Sequence, residues 1–164
     1  MHLIIELYRA AQEMAVDEFQ EFPLGMLKSL VPFDSAAYGS CVLMQQGMQI
    51  QEIYLHNKPI EQISDYSAIT HKDPVLKAAR ANPDRVIRFH PPTLFAGKEN
   101  RPLFDYARRY ENANGMHIIH ADQDSHHAQL LTMWRADEDS HFLKQDGWAA
   151  EQVLHHFFEA LKIN

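Results

Sequence analysis

The sequence predicts an α+β fold in which about five strands form one antiparallel sheet flanked by helices on both sides. Three observations predict it. Most strand-like segments occur as consecutive pairs, short polar turns join the members of each pair, and segments of helical periodicity separate the pairs. The predicted order is α-α-β-β-α-α-β-α-β-β-α. A length of 164 residues indicates a single domain with one main core.

The N-terminal part of the chain is predicted to be helical. Residues 2–19 carry apolar side chains at helical spacing, which is typical of an amphipathic helix. Asp17 is a candidate N-cap for a second helix, which has Pro23 in its first turns and ends at Pro32.

The first strand pair follows directly. Residues 35–45 alternate between two faces that are both apolar or small, so we expect this strand inside the sheet and not at an edge. Residues 45–47, Gln-Gln-Gly, are a candidate hairpin turn, and residues 48–55 return as the second strand.

Two helices are predicted next, and prolines mark where they begin. Pro59 suits the first turn of a helix, as proline lacks the N–H that an early helical position does not need. Asp73 and Pro74 end this helix and begin another, with Asp73 as N-cap and Pro74 at the first helical position. Asn82 and Pro83 close the second helix.

The third strand is short and is predicted at residues 85–89, where a His-Pro-Pro sequence ends it. Residues 91–99 are polar and contain glycine, which predicts a loop. Asn100 is then a candidate cap for a helix that extends through Tyr110.

The last two strands and the last helix complete the predicted fold. Residues 115–121 and 127–135 alternate as strands and are joined by a polar turn at residues 122–126. The final helix is predicted from about Phe142 to the end of the chain.

Composition excludes several classes of function. The net charge of −7 disfavours binding to a nucleic-acid backbone. No apolar run reaches the roughly 18 residues of a membrane span, and Glu6 and Arg9 interrupt the apolar N-terminus, so neither a membrane segment nor a signal peptide is predicted. Cys41 is the single cysteine, which excludes an internal disulfide. These features predict a cytoplasmic protein.

No catalytic or metal-binding signature is found, and we predict that the chain is not an enzyme. Cys41 lies in an apolar strand, where a thiol is usually inert, and no nucleophile-elbow or phosphate-loop motif occurs. The 11 histidines include His117 and His120, which are three apart on a strand and therefore face opposite sides. No two histidines are spaced four apart on a helix, so the sequence predicts neither a metal site nor a cofactor.

Five stretches, taken together and in this order, carry a resemblance to a known family. They are PFDSAAYGS, the series from Asn57–Pro59 through Tyr66 to Asp73-Pro74-Val75, PLFDYARRYENANGMHI, LLTMWRAD and HHFFEALKIN. The chain resembles the ligand-sensing N-terminal domain of LuxR-type bacterial transcription regulators. This resemblance implies a GAF/PAS-like five-stranded sheet with a small-molecule pocket between sheet and helices, followed in such regulators by a helix-turn-helix DNA-binding domain.

The resemblance also implies roles for individual residues. In the members that bind acyl-homoserine lactones, an aspartate matching Asp73 accepts the amide N–H of the ligand, and a tyrosine matching Tyr66 lines the pocket. A tryptophan that donates to the lactone carbonyl lies four residues before this tyrosine, a position that is Gln62 here. A further tyrosine of the family falls at Lys58, and the hydroxyl of a late strand falls at Thr132.

We therefore expect a small organic ligand, an acyl-homoserine lactone or another compound, to contact a set of aromatic and polar residues. The candidate ligand-binding residues are Tyr38, Tyr54, Gln62, Tyr66, Asp73, Phe104, Tyr110 and Thr132. A purely structural role is the ordinary alternative for each: Asp73 suffices as a helix cap, and buried tyrosines usually fill a core. Two other interpretations stay open, namely a ligand-free interaction module of the same fold and a haem- or metal-binding GAF-like sensor.

The last helix has an apolar stripe that indicates how the domain contacts a partner. Val153, Phe157 and Leu161 form an apolar stripe that Leu154 and Phe158 widen beyond a coiled-coil seam. One half of it can pack on the sheet while the other meets a second copy, which predicts a homodimer. The final residues contain no glycine cap or proline stop, so we expect residues 1–164 to be a single sensory domain whose contact with DNA requires a further domain absent from this sequence.

Overall fold

The computed structural model describes residues 1–121 and 125–164, and it confirms the predicted α+β sandwich. In this part of the chain five strands form one antiparallel sheet in the order β2-β1-β5-β4-β3. The strands are β1 (Ser35–Leu43), β2 (Met48–His56), β3 (Ile87–Phe89), β4 (Asn114–Ala121) and β5 (His127–Arg135). The predicted turn at residues 122–126 lies partly outside the described residues.

β1 lies inside the sheet, as its two apolar faces predict. It pairs with β2 on one side and with β5 on the other. At Gly39 of β1 the backbone of β2 is so close that a Cβ would lie 1.9 Å from the Glu52 carbonyl oxygen. This distance excludes any side chain at position 39. The turn into β2 contains Gly47 with a φ of 78°, the left-handed conformation that glycine tolerates best.

Helices at both ends of the chain cover one face of the sheet. They are α1 (His2–Glu13), α2 (Val16–Phe19), α3 (Phe22–Leu30) and α8 (Lys144–Ile163). The prediction of one helix over residues 2–19 is wrong, because the backbone at Met14 and Ala15 is extended and divides it. Asp17 consequently lies inside α2 and is not a cap.

The helices of the middle of the chain cover the other face. They are α4 (Glu61–Ser67), α5 (Pro74–Ala81), α6 (Pro91–Leu94) and α7 (Arg101–Arg109), with short 3-10 turns at Thr70–Lys72 and Lys98–Asn100. The start of α5 is confirmed: the Asp73 side chain accepts from the Val75 N–H, and Pro74 follows at the first helical position. The predicted loop at residues 91–99 is wrong, because Pro91 and Pro92 occupy the first turn of α6.

Each face of the sheet has its own core. Buried side chains of α3 and α8 pack on the sheet side that carries Met116, Ile118 and Leu131. On the other side Leu76 and Ala79 of α5 pack on residues such as Ile119 and Leu130. No helix within the described residues is long and apolar enough to cross a membrane.

Candidate ligand-binding site

A cavity of about 70 Å³ lies between the sheet and the helices α4, α5 and α7. Its wall is mostly apolar, with strand residues such as Ile53 and Leu130 on one side and helix residues such as Leu103 on the other. Four of the eight predicted ligand-binding residues line it, and these are Gln62, Tyr66, Asp73 and Thr132. Further polar lining comes from Tyr106, Asn112 and His117, which the sequence did not single out as ligand contacts.

Tyr66 and Asp73 form a buried pair at the cavity wall. The Tyr66 hydroxyl donates to Asp73 Oδ2 at 2.5 Å, while Oδ1 accepts the Val75 N–H at 2.8 Å. Burial raises the pKa of Asp73, and these two donated hydrogen bonds oppose that rise by stabilising the carboxylate. Asp73 is therefore a helix cap and a cavity residue at once.

Gln62 occupies the position where the resemblance implies a tryptophan. It is 1 % exposed and lies on α4, where it lines the cavity together with Tyr106 of α7. The carbonyl oxygen Oε1 has no hydrogen-bond partner among the described residues. An indole N–H can only donate, whereas this oxygen accepts, so the cavity presents an acceptor where the family presents a donor.

His117 and Thr132 form a second buried pair, on the neighbouring strands β4 and β5. His117 is 5 % exposed, and its Nδ1 lies 2.6 Å from Thr132 Oγ1. Burial lowers the pKa of His117 to about 4, which keeps the ring neutral near pH 7. Its other nitrogen, Nε2, has no partner among the described residues. Strand alternation predicted that His117 and His120 face opposite sides, but not which of them faces a cavity.

Asn112 follows α7 and contributes a third polar side chain to the cavity. It is 3 % exposed, and both its amide nitrogen and its amide oxygen lack hydrogen-bond partners among the described residues. No local signal in the sequence distinguishes this asparagine from a solvated turn residue. A buried amide without partners is unfavourable by about 1–3 kcal/mol, so its presence calls for a functional reason.

Tyr38 and Tyr54, two of the predicted ligand-binding residues, do not line this cavity. They face each other across β1 and β2 on the opposite side of the sheet. The Tyr38 hydroxyl donates to the Gln20 carbonyl at 3.0 Å, and the Tyr54 hydroxyl donates to Glu21. Their hydroxyl groups therefore join β1 and β2 to the N-terminal helices.

Phe104 and Tyr110, two further predicted ligand-binding residues, do not line the cavity either. Phe104 is partly buried and packs on the core cluster that contains Leu103 and Ala107, and the Arg101 guanidinium lies 5.6 Å from its ring. The Tyr110 hydroxyl donates to Asp65, which holds the end of α7 against α4. Both side chains support the helices that enclose the cavity.

Trp134 and Lys58 lie together at one end of the site. Trp134 lines the cavity, and the Lys58 ammonium lies 5.6 Å from the centre of its ring. Lys58 also donates to the Tyr110 carbonyl, and burial lowers the pKa of this lysine. The position where the resemblance implies a tyrosine thus holds a cation that packs on an aromatic wall.

The fold is that of the ligand-sensing domain of LuxR-type regulators. One solved structure with this fold is the N-acylhomoserine lactone dependent LuxR family transcription factor CepR2 from Burkholderia cenocepacia, with a TM-score of 0.72, 15% identity, and coverage of 98% of this chain and 91% of that chain. Another is SdiA of Escherichia coli in complex with octanoyl-rac-glycerol, with a TM-score of 0.70, 17% identity, and coverage of 97% and 64%.

A more distant likeness supports the GAF-like description. The GAF domain of a two-component sensor histidine kinase from Bacillus halodurans matches with a TM-score of 0.52 and 15% identity, over 91% of this chain and 95% of that chain. No protein-family model and no curated protein matches the sequence. Burial raises the pKa of the Cys41 thiol to about 11, so this thiol is a poor nucleophile at neutral pH.

Acidification is expected to destabilise the domain through His117. The pKa of His117 is about 4 in the folded protein and near 6.5 in the unfolded chain. The contribution of the neutral ring to the free energy of unfolding is therefore complete above pH 6.5 and is lost as the pH falls towards 4. Between about pH 7.5 and about pH 5.5 we expect the wild type to lose about 1.4 kcal/mol more unfolding free energy than His117→Asn. Urea unfolding at both pH values measures this difference.

The pH experiment has a matched control in an exposed histidine. His71 lies on the surface and outside the cavity lining, so His71→Asn measures how the loss of an exposed histidine changes the same pH dependence. If His117→Asn shows the same pH dependence as the wild type, His117 is not a buried neutral ring.

Proposed function

We propose that this chain is the signal-sensing domain of a LuxR-type transcription regulator and binds a small organic ligand between its sheet and its helices. The observation that carries the proposal is the set of polar groups in one largely apolar cavity. Gln62, Asn112 and His117 each present at least one side-chain atom that has no partner among the described residues. Buried polar groups are nearly always paired, so unpaired ones on one cavity wall favour a bound polar partner.

The lining groups indicate a neutral ligand with both donors and acceptors. Gln62 Oε1 accepts hydrogen bonds, and the Asn112 amide both donates and accepts. His117 is neutral, so it adds no charge. The Asp73 carboxylate already accepts from the Tyr66 hydroxyl and from the backbone N–H groups of Val75 and Leu76, which leaves it a remaining lone pair for a ligand N–H or O–H. The apolar remainder of the wall suits an acyl or similar hydrocarbon part.

The volume of the cavity limits how a ligand can enter it. A cavity of about 70 Å³ is smaller than the roughly 150 Å³ engineered cavity that binds benzene, so an acyl-homoserine lactone or acylglycerol requires the wall to open. The wall segment from α4 through the turn at Thr70–Lys72 consists of short helical pieces. We infer that this segment moves outward on binding. The ligand then binds the open state of the cavity more tightly than the closed state, and signalling requires such a difference in affinity.

The signal is proposed to leave through α8 and the dimer. α8 packs on the opposite side of the sheet from the cavity, while Trp148 on it is 66 % exposed and free to meet a second copy. In this proposal a homodimer reports occupancy to a DNA-binding domain, and DNA is contacted only there. Sedimentation of the wild type and of Trp148→Glu tests the dimer, which the charged side chain should dissociate.

The direct test is calorimetric titration with two probes, N-octanoyl-homoserine lactone and 1-octanoylglycerol. We expect at least one probe to bind, and Asn112→Leu to weaken that binding about tenfold or more. The same substitution should raise the unfolding free energy of the free protein by about 1 kcal/mol, because leucine has the same branched shape and no unpaired amide.

A matched control lies on α7. Asp105→Asn breaks an exposed ion pair with Arg101 and does not line the cavity, so probe affinity should stay unchanged. Binding of neither probe, together with no organic compound in native mass spectrometry of protein purified from bacteria, would refute the sensing proposal. Unchanged probe affinity in Asn112→Leu would refute the assignment of Asn112.

A second candidate function is a ligand-free interaction module of the same fold. The small cavity favours it, as does the Tyr66–Asp73 hydrogen bond, which already satisfies the residue pair that the resemblance assigns to the ligand. The haem-sensor alternative has less support. His117 is the one histidine in the cavity lining, its Nδ1 is bonded to Thr132, and the cavity is far smaller than a typical ligand pocket.

A further inference from the structure

Three metal-ligating side chains meet on the side of the sheet opposite the cavity. His120 lies near the end of β4, and His155 and Glu159 lie four residues apart on α8, where they share one helix face. Their candidate ligand atoms all lie within 4.8 Å of one another. The group was not visible in the sequence, because 35 residues separate His120 from His155 and the helical pair combines a histidine with a glutamate.

His120 is held in a fixed orientation. Its Nδ1 lies 2.5 Å from Asp84 Oδ1, and its ring stacks on Phe158 with 5.5 Å between the ring centres and 9° between the planes. A carboxylate on one imidazole nitrogen fixes the tautomer and leaves the other nitrogen, Nε2, as the ligand atom. This is the arrangement that supports histidine ligands in many metal sites.

We propose that His120, His155 and Glu159 bind one divalent transition-metal ion of the zinc type, with Asp84 as the supporting carboxylate. Two imidazoles and one carboxylate are a common protein ligand set for zinc, with water completing the tetrahedron. Zinc–ligand bonds of about 2.0–2.1 Å place ligand atoms about 3.4 Å apart, so the three side chains close by about 1 Å on binding. His155 is exposed and Glu159 is partly exposed, which gives both side chains room to move.

Lys162 is the competing group. Its ammonium donates to Glu159 Oε1 at 2.8 Å, and this contact lowers the pKa of Glu159 and keeps it ionised. The side chains of Glu159 and Lys162 are 36 % and 44 % exposed, so their ion pair contributes little free energy. A carboxylate oxygen of Glu159 can therefore leave the lysine and bind a metal ion at a small cost in free energy. A metal there would connect α8 to β4. This inference uses the opposite side of the sheet and does not depend on the proposed function.

The test is titration of chelator-treated protein with Zn²⁺ in competition with a chromogenic zinc indicator. We expect one tight equivalent per chain in the wild type and at least a tenfold loss of affinity in His155→Gln and in Glu159→Gln. Asp84→Asn should weaken binding by about tenfold as well, since it removes the support of His120. Neither His155 nor Glu159 is buried, so these variants should fold.

The chain provides a matched control for the helical pair. His2 and Glu6 are also four residues apart, on α1, at 2.8 Å, but no third ligand lies beside them within the described residues. His2→Gln should therefore bind zinc like the wild type. Absence of a tight equivalent in the wild type, or equal affinity in the wild type and His155→Gln, would overturn the proposal.

Zinc-dependent stabilisation provides a second readout. Ions that bind only the folded state raise the melting temperature, so Zn²⁺ should raise that of the wild type and of His2→Gln but not that of His155→Gln. A shift of the same size in all three proteins would show that zinc acts through other histidines, and the assignment would be wrong.

Discussion

Phe157→Ala is expected to lower the free energy of unfolding by about 3–5 kcal/mol, the largest change that we predict for a single substitution. Phe157 is 1 % exposed and lies in the core between α8 and the sheet. Its ring packs edge-on against Tyr38 and Phe158, with ring centres 5.4 and 5.5 Å apart. Truncation removes these contacts and leaves a cavity that the surrounding strands cannot close.

Urea unfolding at neutral pH measures this loss, and Gln152→Ala is the control on the same helix. Gln152 is exposed, so its truncation should change the unfolding free energy by less than about 0.5 kcal/mol. A loss below about 1 kcal/mol for Phe157→Ala would show that α8 is not packed on the sheet as described. α8 would then be a poor route for a signal from the cavity.

The strands were predictable because alternation and turn residues are local properties of the sequence. β1, β2, β4 and β5 lie within one or two residues of their predicted bounds. The break between α1 and α2 was missed because Met14 and Ala15 are good helix formers, and their extended backbone is set by tertiary packing. α6 was missed because its prolines end a strand and begin a helix equally well.

The candidate site was predictable where it depends on a local pattern. Tyr66 and Asp73, which line the cavity, could be singled out because the helix-capping Asp-Pro sequence coincides with a family resemblance. Tyr38 and Tyr54 were misplaced because strand alternation separates two faces but does not say which of them faces a cavity. Asn112 and His117 could not be found, since their importance lies in unsatisfied atoms that only the packed structure reveals.

Asp73→Ala is expected to lower the free energy of unfolding by about 2–4 kcal/mol. Loss of the N-cap contributes about 1 kcal/mol, and the buried Tyr66 hydroxyl loses its acceptor, which contributes about 1–3 kcal/mol more. The substitution thus removes a cap and a cavity hydrogen bond together. Chemical unfolding of the free protein measures the sum of the two losses.

Asp73→Asn separates the cap from the proposed ligand contact. Asparagine is as good an N-cap as aspartate, and its carbonyl oxygen can keep one of the two hydrogen bonds, from Val75 or from Tyr66. We therefore expect a loss of only about 1 kcal/mol in unfolding free energy, smaller than for Asp73→Ala. If Asp73 also binds the ligand, probe affinity should fall in Asp73→Asn although the fold is kept.

The two substitutions together decide the role of Asp73. Lower stability in Asp73→Ala with unchanged probe affinity in Asp73→Asn would leave Asp73 as a structural cap alone. Unchanged stability and unchanged affinity in both variants would contradict the cap and the contact alike. Tyr66→Phe completes the comparison: it removes the donated hydrogen bond and leaves the Val75 cap in place, so it reports the contribution of the Tyr66–Asp73 pair by itself.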